Sequence, residues 1–408
     1  MSMADVVGAK PAIAGVTPLR KIPFAPWPSF GSAEIEAATA VLRSGKVNYW
    51  TGQEGRLFEN EFADSVGCKY AVALANGTVA LELALYALGI QPGDEVIVPS
   101  RTFVASASCA AVRGAIPVFA DVDRNSQNIT AETITRALSP RTRAVVAVHL
   151  AGWPCDMDPI LAVARQHGIK VIEDCAQAQG AMYKNRPVGS IGDAAAFSFC
   201  QDKIMTTCGE GGMLTTSDRN LWEVAWSFKD HGKNYEAMSG SQPSAAFRWV
   251  HDGVGTNWRM TEVQSAVGRT LLRRIPQMIE KRRQLAGLLS RRLSKISALR
   301  VPIPPADVNH AYYKYYVFLR PERLREGWNQ AQILQAINAE GIPCFAGSCS
   351  EIYLEKAFEN LRPPTNLNTA RELGENSLMF MVHPTLTEQD MNDTCLAVEK
   401  IMVLAARP

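Results

Sequence analysis

The chain has 408 residues, 47% hydrophobic and 20% charged, and its 42 basic and 40 acidic side chains leave a formal charge of +2. That length exceeds one ordinary core and predicts a large α/β domain plus a smaller one. The near-neutral balance gives no reason to expect nucleic acid or an acidic membrane surface as a partner, and no run approaches the ~20 apolar residues of a membrane helix.

The first thirty residues carry Pro11, Pro18, Pro23, Pro26 and Pro28 and lack a sustained apolar core. They predict an extended N-terminal arm over 1–30 rather than a signal peptide. The large domain is expected over 31–260, where short apolar runs alternate with helical stretches. Strands are expected at Tyr70–Leu74, Glu95–Val98, Pro117–Phe119, Ala144–Val148, Lys170–Ile172, Ala194–Phe199 and Gly212–Thr216. Helices are expected at Val79–Leu88, Val104–Val112, Ala131–Leu138 and Asp158–Gln166. This rhythm predicts a mostly parallel central sheet covered by helices on both faces. In such sheets ligands bind outside the carboxyl ends of the strands.

Past residue 260 the pattern changes to a smaller α+β domain over 261–408. Met260–Leu299 is a long helical stretch interrupted by Pro276, followed by a strand at Tyr312–Leu319 and helices at Gln330–Ala339 and Glu388–Leu404. Nine cysteines, an odd number without C-x-x-C spacing, suit reduced thiols and a cytoplasmic location. The six histidines do not fall at ligand spacing near those cysteines, so no metal is expected.

Three segments can carry chemistry. Ala75-Asn76-Gly77-Thr78 joins a strand to a helix. Gly77 lets a phosphate approach the unpaired N–H groups of the helix start, and the Thr78 hydroxyl adds a donor; an ordinary capped helix start gives the same pattern. Asp174 ends the apolar run Val171-Ile172-Glu173-Asp174. A carboxylate there needs a cation or several donors, and a protonated pyridine nitrogen is such a cation; capping a turn is the alternative. Lys203 follows the strand ending at Phe197-Ser198-Phe199. Buried near cationic character, it becomes a Schiff-base nucleophile, with Ser198 placed to bond a phosphate; otherwise it is an exposed loop lysine.

In order and spacing these segments resemble the DegT/StrS-type nucleotide-sugar aminotransferases, a branch of the fold-type I pyridoxal-phosphate enzymes. The resemblance runs from about Gly52 to the C-terminus. It is carried by Asn76-Gly77-Thr78-Val79-Ala80-Leu81, Pro92-Gly93-Asp94-Glu95-Val96, Thr102-Phe103-Val104-Ala105, His149-Leu150-Ala151-Gly152, Glu173-Asp174-Cys175-Ala176-Gln177, Lys203, Glu210-Gly211-Gly212, Asn257-Trp258-Arg259 and His383-Pro384.

The resemblance implies pyridoxal 5'-phosphate as cofactor, Lys203 as Schiff-base lysine and proton shuttle, and Asp174 as partner of the pyridinium nitrogen. It further implies Gln177 beside the ring, Phe103 stacked on it, and Gly77, Thr78 and Ser198 on the phosphate. Asn257 would reach the phosphate site of a neighbouring subunit, which implies a homodimer with shared active sites. The expected reaction is ping-pong transfer of an amine from L-glutamate to a nucleotide-diphosphate-linked keto sugar. Two features depart from the family pattern. Cys208 stands in the link between Lys203 and Glu210-Gly211-Gly212, and Gly341–Glu351 contains no histidine. The competing expectations are a sugar dehydratase of the same branch, in which histidine commonly replaces the lysine, and a non-catalytic relative.

Overall fold

The computed structural model describes residues 11–15, 17–239 and 248–407. Fourteen strands form three sheets among them. In chain order they are β1 (Tyr70–Leu74), β2 (Glu95–Pro99), β3 (Ile116–Ala120), β4 (Thr142–Val148), β5 (Lys170–Asp174), β6 (Met182–Tyr183) and β7 (Arg186–Pro187). There follow β8 (Ala194–Ser198), β9 (Gly212–Thr216), β10 (Leu299–Arg300), β11 (Val308–Asn309), β12 (Tyr315–Leu319), β13 (Cys344–Phe345) and β14 (Ser377–Phe380).

The large sheet has the order β1-β9-β8-β5-β4-β2-β3. The run from β8 through β5, β4 and β2 to β3 is parallel, whereas β9 is antiparallel to both of its neighbours. The expected mostly parallel sheet is therefore present, with β9 alone running against the rest. Side chains alternate across it with the two-residue period of a pleated strand. Val72, Leu74, Val96, Val98, Val146 and Val148 share one core with the helices Gly77–Ala87 and Ala105–Val112. Ile97, Val145, Ala147 and Val171 face a second core with the helix Met157–His167.

The antiparallel second sheet, β10-β12-β14-β13, packs its core against the helices Ile275–Leu293, Gln330–Ala339 and Glu388–Ala405. The ribbon β11-β6-β7 connects the two parts of the chain through main-chain pairing of Val308–Asn309 with Met182–Tyr183.

The expected stretch Met260–Leu299 is two helices, Glu262–Leu272 and Ile275–Leu293. Pro276 lies in the first turn of the second, where its missing N–H costs no helical bond. Val267 and Leu271 of the first helix pack with Phe58 and Phe62 of the large sheet's flank, while Leu285, Leu289 and Leu293 of the second belong to the small-sheet core. Tyr312 takes a left-handed φ of 48°, so the strand expected from Tyr312 begins at Tyr315.

Residues 17–31 form no helix or strand. This stretch is nonetheless tied down. Glu340 accepts hydrogen bonds from the backbone of Ala12 and Leu19, and Arg20 pairs with Asp390 and Asp393 at 2.7 Å each. The path ends at Trp27, whose indole lies 6.0 Å from the His383 ring and whose Nε1 donates to the Lys203 carbonyl.

Candidate active site

The carboxyl ends of β1, β5 and β8 converge with the start of β9. Gly212 pairs with both Leu74 and Ser198, which draws the turn after β1 against the end of β8. A Cβ added at Gly77 would lie 2.6 Å from the Ser198 Cβ, so only glycine permits this approach. The helix Gly77–Ala87 is capped by Asn76, whose Oδ1 accepts from Val79 N at 3.0 Å. Thr78 is thus not the cap. It is exposed, and its hydroxyl has no partner among the described residues.

Asp174 ends β5 and is 6% exposed. Its Oδ2 accepts from Ser106 Oγ at 2.8 Å and its Oδ1 from Ala176 N at 3.1 Å. Ser106 is held in turn by Thr102, hydroxyl to hydroxyl at 2.8 Å. Burial pushes the Asp174 carboxyl above the usual carboxylate range, and Ser106, Ala176 and the charge of Lys203 offset this only in part. No cation reaches Asp174 within salt-bridge distance among the described residues. A buried carboxylate in this state favours an added N–H⁺.

The adjacent Glu173 is the opposite case. Burial pushes its carboxyl up, but bonds from His149 and from the N–H groups of Gly189 and Gly192 outweigh that and hold it below its usual range. Ile191 N donates as well, at 2.7 Å. The fold brings His149, Glu173 and Cys175 within 4.8 Å of one another, an approach that linear spacing does not reveal. His149 and Glu173 are engaged by these bonds and by Cys155 N, which donates to His149 Nδ1 at 2.9 Å.

The Lys203 side chain is 16% exposed, and its nearest carboxylate oxygen, on Asp202, is 4.0 Å away. Its Nζ lies 5.1 Å from the Tyr313 ring centroid and makes no hydrogen bond among the described residues. Between Lys203 and Gly212 the chain passes Cys208, exposed at a left-handed φ of 61°. That is a glycine-favouring conformation, so Cys208 occupies a place whose backbone suits glycine.

Gln177 is half-buried and accepts from Ala151 N at 2.7 Å. Phe103 is 64% exposed, so core packing does not explain it. The turn that bears it is anchored by the buried Arg101, which donates to Gln127, Ser348, Ser350 and Ser377 and thereby joins the two sheets. Asn257 is exposed and paired with Asp230 in a β-bridge, with no bond to the other candidate residues. Asp174, Gly77, Ser198 and Lys203 are thus gathered at one end of the sheet, and the segment Asn257-Trp258-Arg259 borders the end of β1 there through the Leu74–Arg259 bridge and the Ala75 N–Trp258 carbonyl bond at 2.9 Å.

The family model of the DegT/DnrJ/EryC1/StrS aminotransferase family matches residues 28–399. The chain belongs to this family. It is a pyridoxal-phosphate-dependent aminotransferase. The match begins at residue 28, upstream of the Gly52 at which the motifs first resemble the family. GDP-perosamine synthase of Caulobacter vibrioides is 38% identical over 364 residues, covering 87% of this chain and 92% of that protein. The spore coat polysaccharide biosynthesis protein SpsC of Bacillus subtilis is 36% identical over 379 residues, covering 92% and 96%. The solved aminotransferase of Psychrobacter cryohalolentis superposes with a TM-score of 0.91 at 52% identity, covering 93% of this chain and 98% of that one.

The residues present fit the family's cofactor. Gly77 and Ser198 meet in close contact at a helix start, whose N–H groups suit a phosphate. Asp174 lacks the cation that its burial calls for among the described residues, and the Lys203 amine makes no hydrogen bond there and only a 4.0 Å contact with Asp202. Sequence reasoning missed Ser106, Trp27 and Tyr313, which hold or flank these groups. Ser106 lies one residue past the matched Thr102-Phe103-Val104-Ala105 and was within reach of that motif. The other two carry no local signal.

Proposed function

We propose that this aminotransferase moves an amino group from L-glutamate to a keto sugar carried on a nucleotide diphosphate, with Lys203 and Asp174 as its catalytic residues. The observation that carries the reading is that Lys203, whose amine has only a 4.0 Å contact with Asp202, and a buried, cation-seeking Asp174 stand at the same sheet end. Similarity to a GDP-perosamine synthase supports a nucleotide-linked sugar as acceptor. Similarity to a spore coat polysaccharide protein supports a place in surface-sugar biosynthesis.

Bound pyridoxal phosphate supplies an electron sink and a temporary carrier for the amine. The rest falls to the chain. Asp174, oriented by Ser106 and Ala176, keeps the proton on the pyridine nitrogen. Gly77, Thr78 and Ser198 hold the phosphate, and Phe103 and Gln177 flank the ring. Lys203 would hold the cofactor, and its amine would serve as the base that moves a proton at the substrate carbon. That one base serves both half-reactions.

The same reading includes a homodimer in which Asn257 completes the partner's phosphate site. The exposure of Phe103, of Asn257 and of Val254, 90% for the last, supports a covering surface. Among the described residues no helix is long and apolar enough to cross a membrane, and a cytoplasmic location is proposed. We also propose a division into arm, large domain and small domain near residues 30 and 260. Lysine at position 203 disfavours the dehydratase alternative.

The test is the visible absorption spectrum of the purified holoenzyme before and after L-glutamate. A band that bleaches with glutamate and is absent from Lys203→Ala supports the assignment. Wild-type turnover in Lys203→Ala overturns it.

A further inference from the structure

A second ammonium group stands beside Lys203. Lys314, one residue before β12, places its Nζ 4.7 Å from the centroid of the Tyr313 ring, and Lys203 lies 5.1 Å from the same centroid. The two nitrogens are therefore no more than about 10 Å apart. Lys314 is largely withdrawn from water, yet its hydrogen bond among the described residues is to the thioether sulfur of Met381 at 3.5 Å, a weak acceptor. No carboxylate lies within salt-bridge distance of it among those residues.

The charged and titratable groups facing Lys314 are Asp202, Lys203, Arg282, Tyr313 and His383. Arg282 is buried without an acid of its own. It donates to the carbonyls of Tyr312 and Tyr313 at 3.2 Å each, and its Nε has no partner among the described residues. Asp202 is the sole acid in the group, and it is already bound by the Tyr313 hydroxyl. His383 is pushed down to about 4 by burial and by the charges of Arg282 and Lys314, so it is neutral near pH 7. Lys314 and Arg282, joined by Lys203 whenever its amine is free, thus face one carboxylate in a partly dehydrated space. Burial first, and then Arg282 and Lys203, push Lys314 down to about 8. Such a cluster is short of negative charge.

We propose that Lys314 binds an oxyanion carried by a substrate, supplying the charge that positions the reacting carbon at Lys203. This rests on the aminotransferase reading above. Two sources offer that chemistry: the side-chain carboxylate of the donor amino acid and the phosphate of the nucleotide-linked acceptor. Each lies a few bonds from the carbon that reacts, which suits the spacing of the two lysines. Cation–π contact with Tyr313 holds the ammonium in place without neutralising it, and so leaves its charge for the ligand.

The experiment compares wild-type holoenzyme with Lys314→Gln and Lys314→Arg. In one arm L-glutamate and L-alanine are titrated against the visible absorption band. In the other, binding of GDP and UDP is measured by calorimetry. Lys314→Gln is expected to weaken binding at least tenfold in one arm with its visible band unaltered, and Lys314→Arg is expected to recover most of the loss. In wild type the same binding should weaken above about pH 8 as Lys314 loses its proton, and Lys314→Arg should lack that step. A loss for glutamate with alanine spared assigns the donor carboxylate; a loss for GDP or UDP assigns the phosphate. Affinities within twofold of wild type in both arms overturn the proposal. If Lys314→Gln does not hold the cofactor, the pH comparison of wild type with Lys314→Arg decides. A wild-type enzyme indifferent to glutamate and to both nucleotides would instead sink the functional reading, and this inference with it.

Discussion

The indole N–H of Trp27 donates to the backbone carbonyl of Lys203 at 2.8 Å, across 176 positions of sequence. The Trp27 ring also stacks on His383 and lies 5.4 Å from the Arg282 guanidinium. The proline-rich arm therefore sets the height of the loop that carries the reactive lysine. Trp27→Phe preserves most of the ring packing and removes the hydrogen bond, at a cost of about 1 kcal/mol of stability. Turnover should drop several-fold with KM little changed, because the loop shifts while the substrate pocket remains. Steady-state kinetics with a thermal melt check this; an unchanged kcat would show that the arm does not position Lys203.

Gly77→Ala drives a methyl group into the Ser198 Cβ, at 2.6 Å before relaxation. Overpacking of this kind costs about 1–3 kcal/mol, and the phosphate cradle should lose cofactor affinity along with it. Ser198→Gly in the same chain removes the clashing atom. A double-mutant cycle on unfolding free energy should then show favourable coupling between the two changes; strict additivity would mean the strain lies elsewhere.

Ser106→Ala leaves Asp174 with a single backbone donor, and burial then raises its proton affinity further. A protonated Asp174 no longer holds the pyridine proton by charge. We expect kcat/KM to fall by about tenfold, equivalent to about 1.4 kcal/mol. Ser106→Thr keeps the hydroxyl and should retain more activity than alanine. Equal losses in the two variants would assign Ser106 to packing alone.

Acid should destabilise the protein through His310. Its Nδ1 accepts from Tyr312 N at 2.8 Å and its ring stacks on Tyr312 at 3.8 Å. Burial and the nearby Arg283 push its pKa down to about 3. Its unfolded value is about 6.5, so below that pH the unfolded chain gains a proton that the folded one refuses. The stability it contributes is full above pH ~6.5 and declines as pH falls toward 3. His310→Asn, which can keep an acceptor for Tyr312 N, should flatten the loss of Tm between pH 7 and 5. A melting profile parallel to wild type over that range would contradict this.

Much of the molecule was legible because it is written locally. The helix Gln330–Ala339 and the strand Gly212–Thr216 occupy their expected residues, and most other elements differ by one or two positions. Asp174 could be singled out because a polar group at the end of an apolar strand is costly unless it has a task, and Lys203 because it stands in the loop after an apolar strand and falls in order among the family's motifs. Pro276 interrupts the helical pattern in the sequence, and in the structure it starts a second helix whose first turns share the core of the first helix while its later turns join the small-sheet core.

Other features depend on contacts between segments far apart in the chain. Thr78 yields the cap to Asn76, Ser106 reaches Asp174, and Trp27 and Tyr313 meet at Lys203 from opposite ends of the sequence. From the sequence alone, periodicity determined the fold class and strand-end polarity marked Asp174, because both act over a few residues, while the family and the roles it implies came from the resemblance of motifs in order. The tertiary structure decided which side chains orient them and where charge is left unpaired. Those are properties of distance and burial, and they exist only once remote segments have packed together.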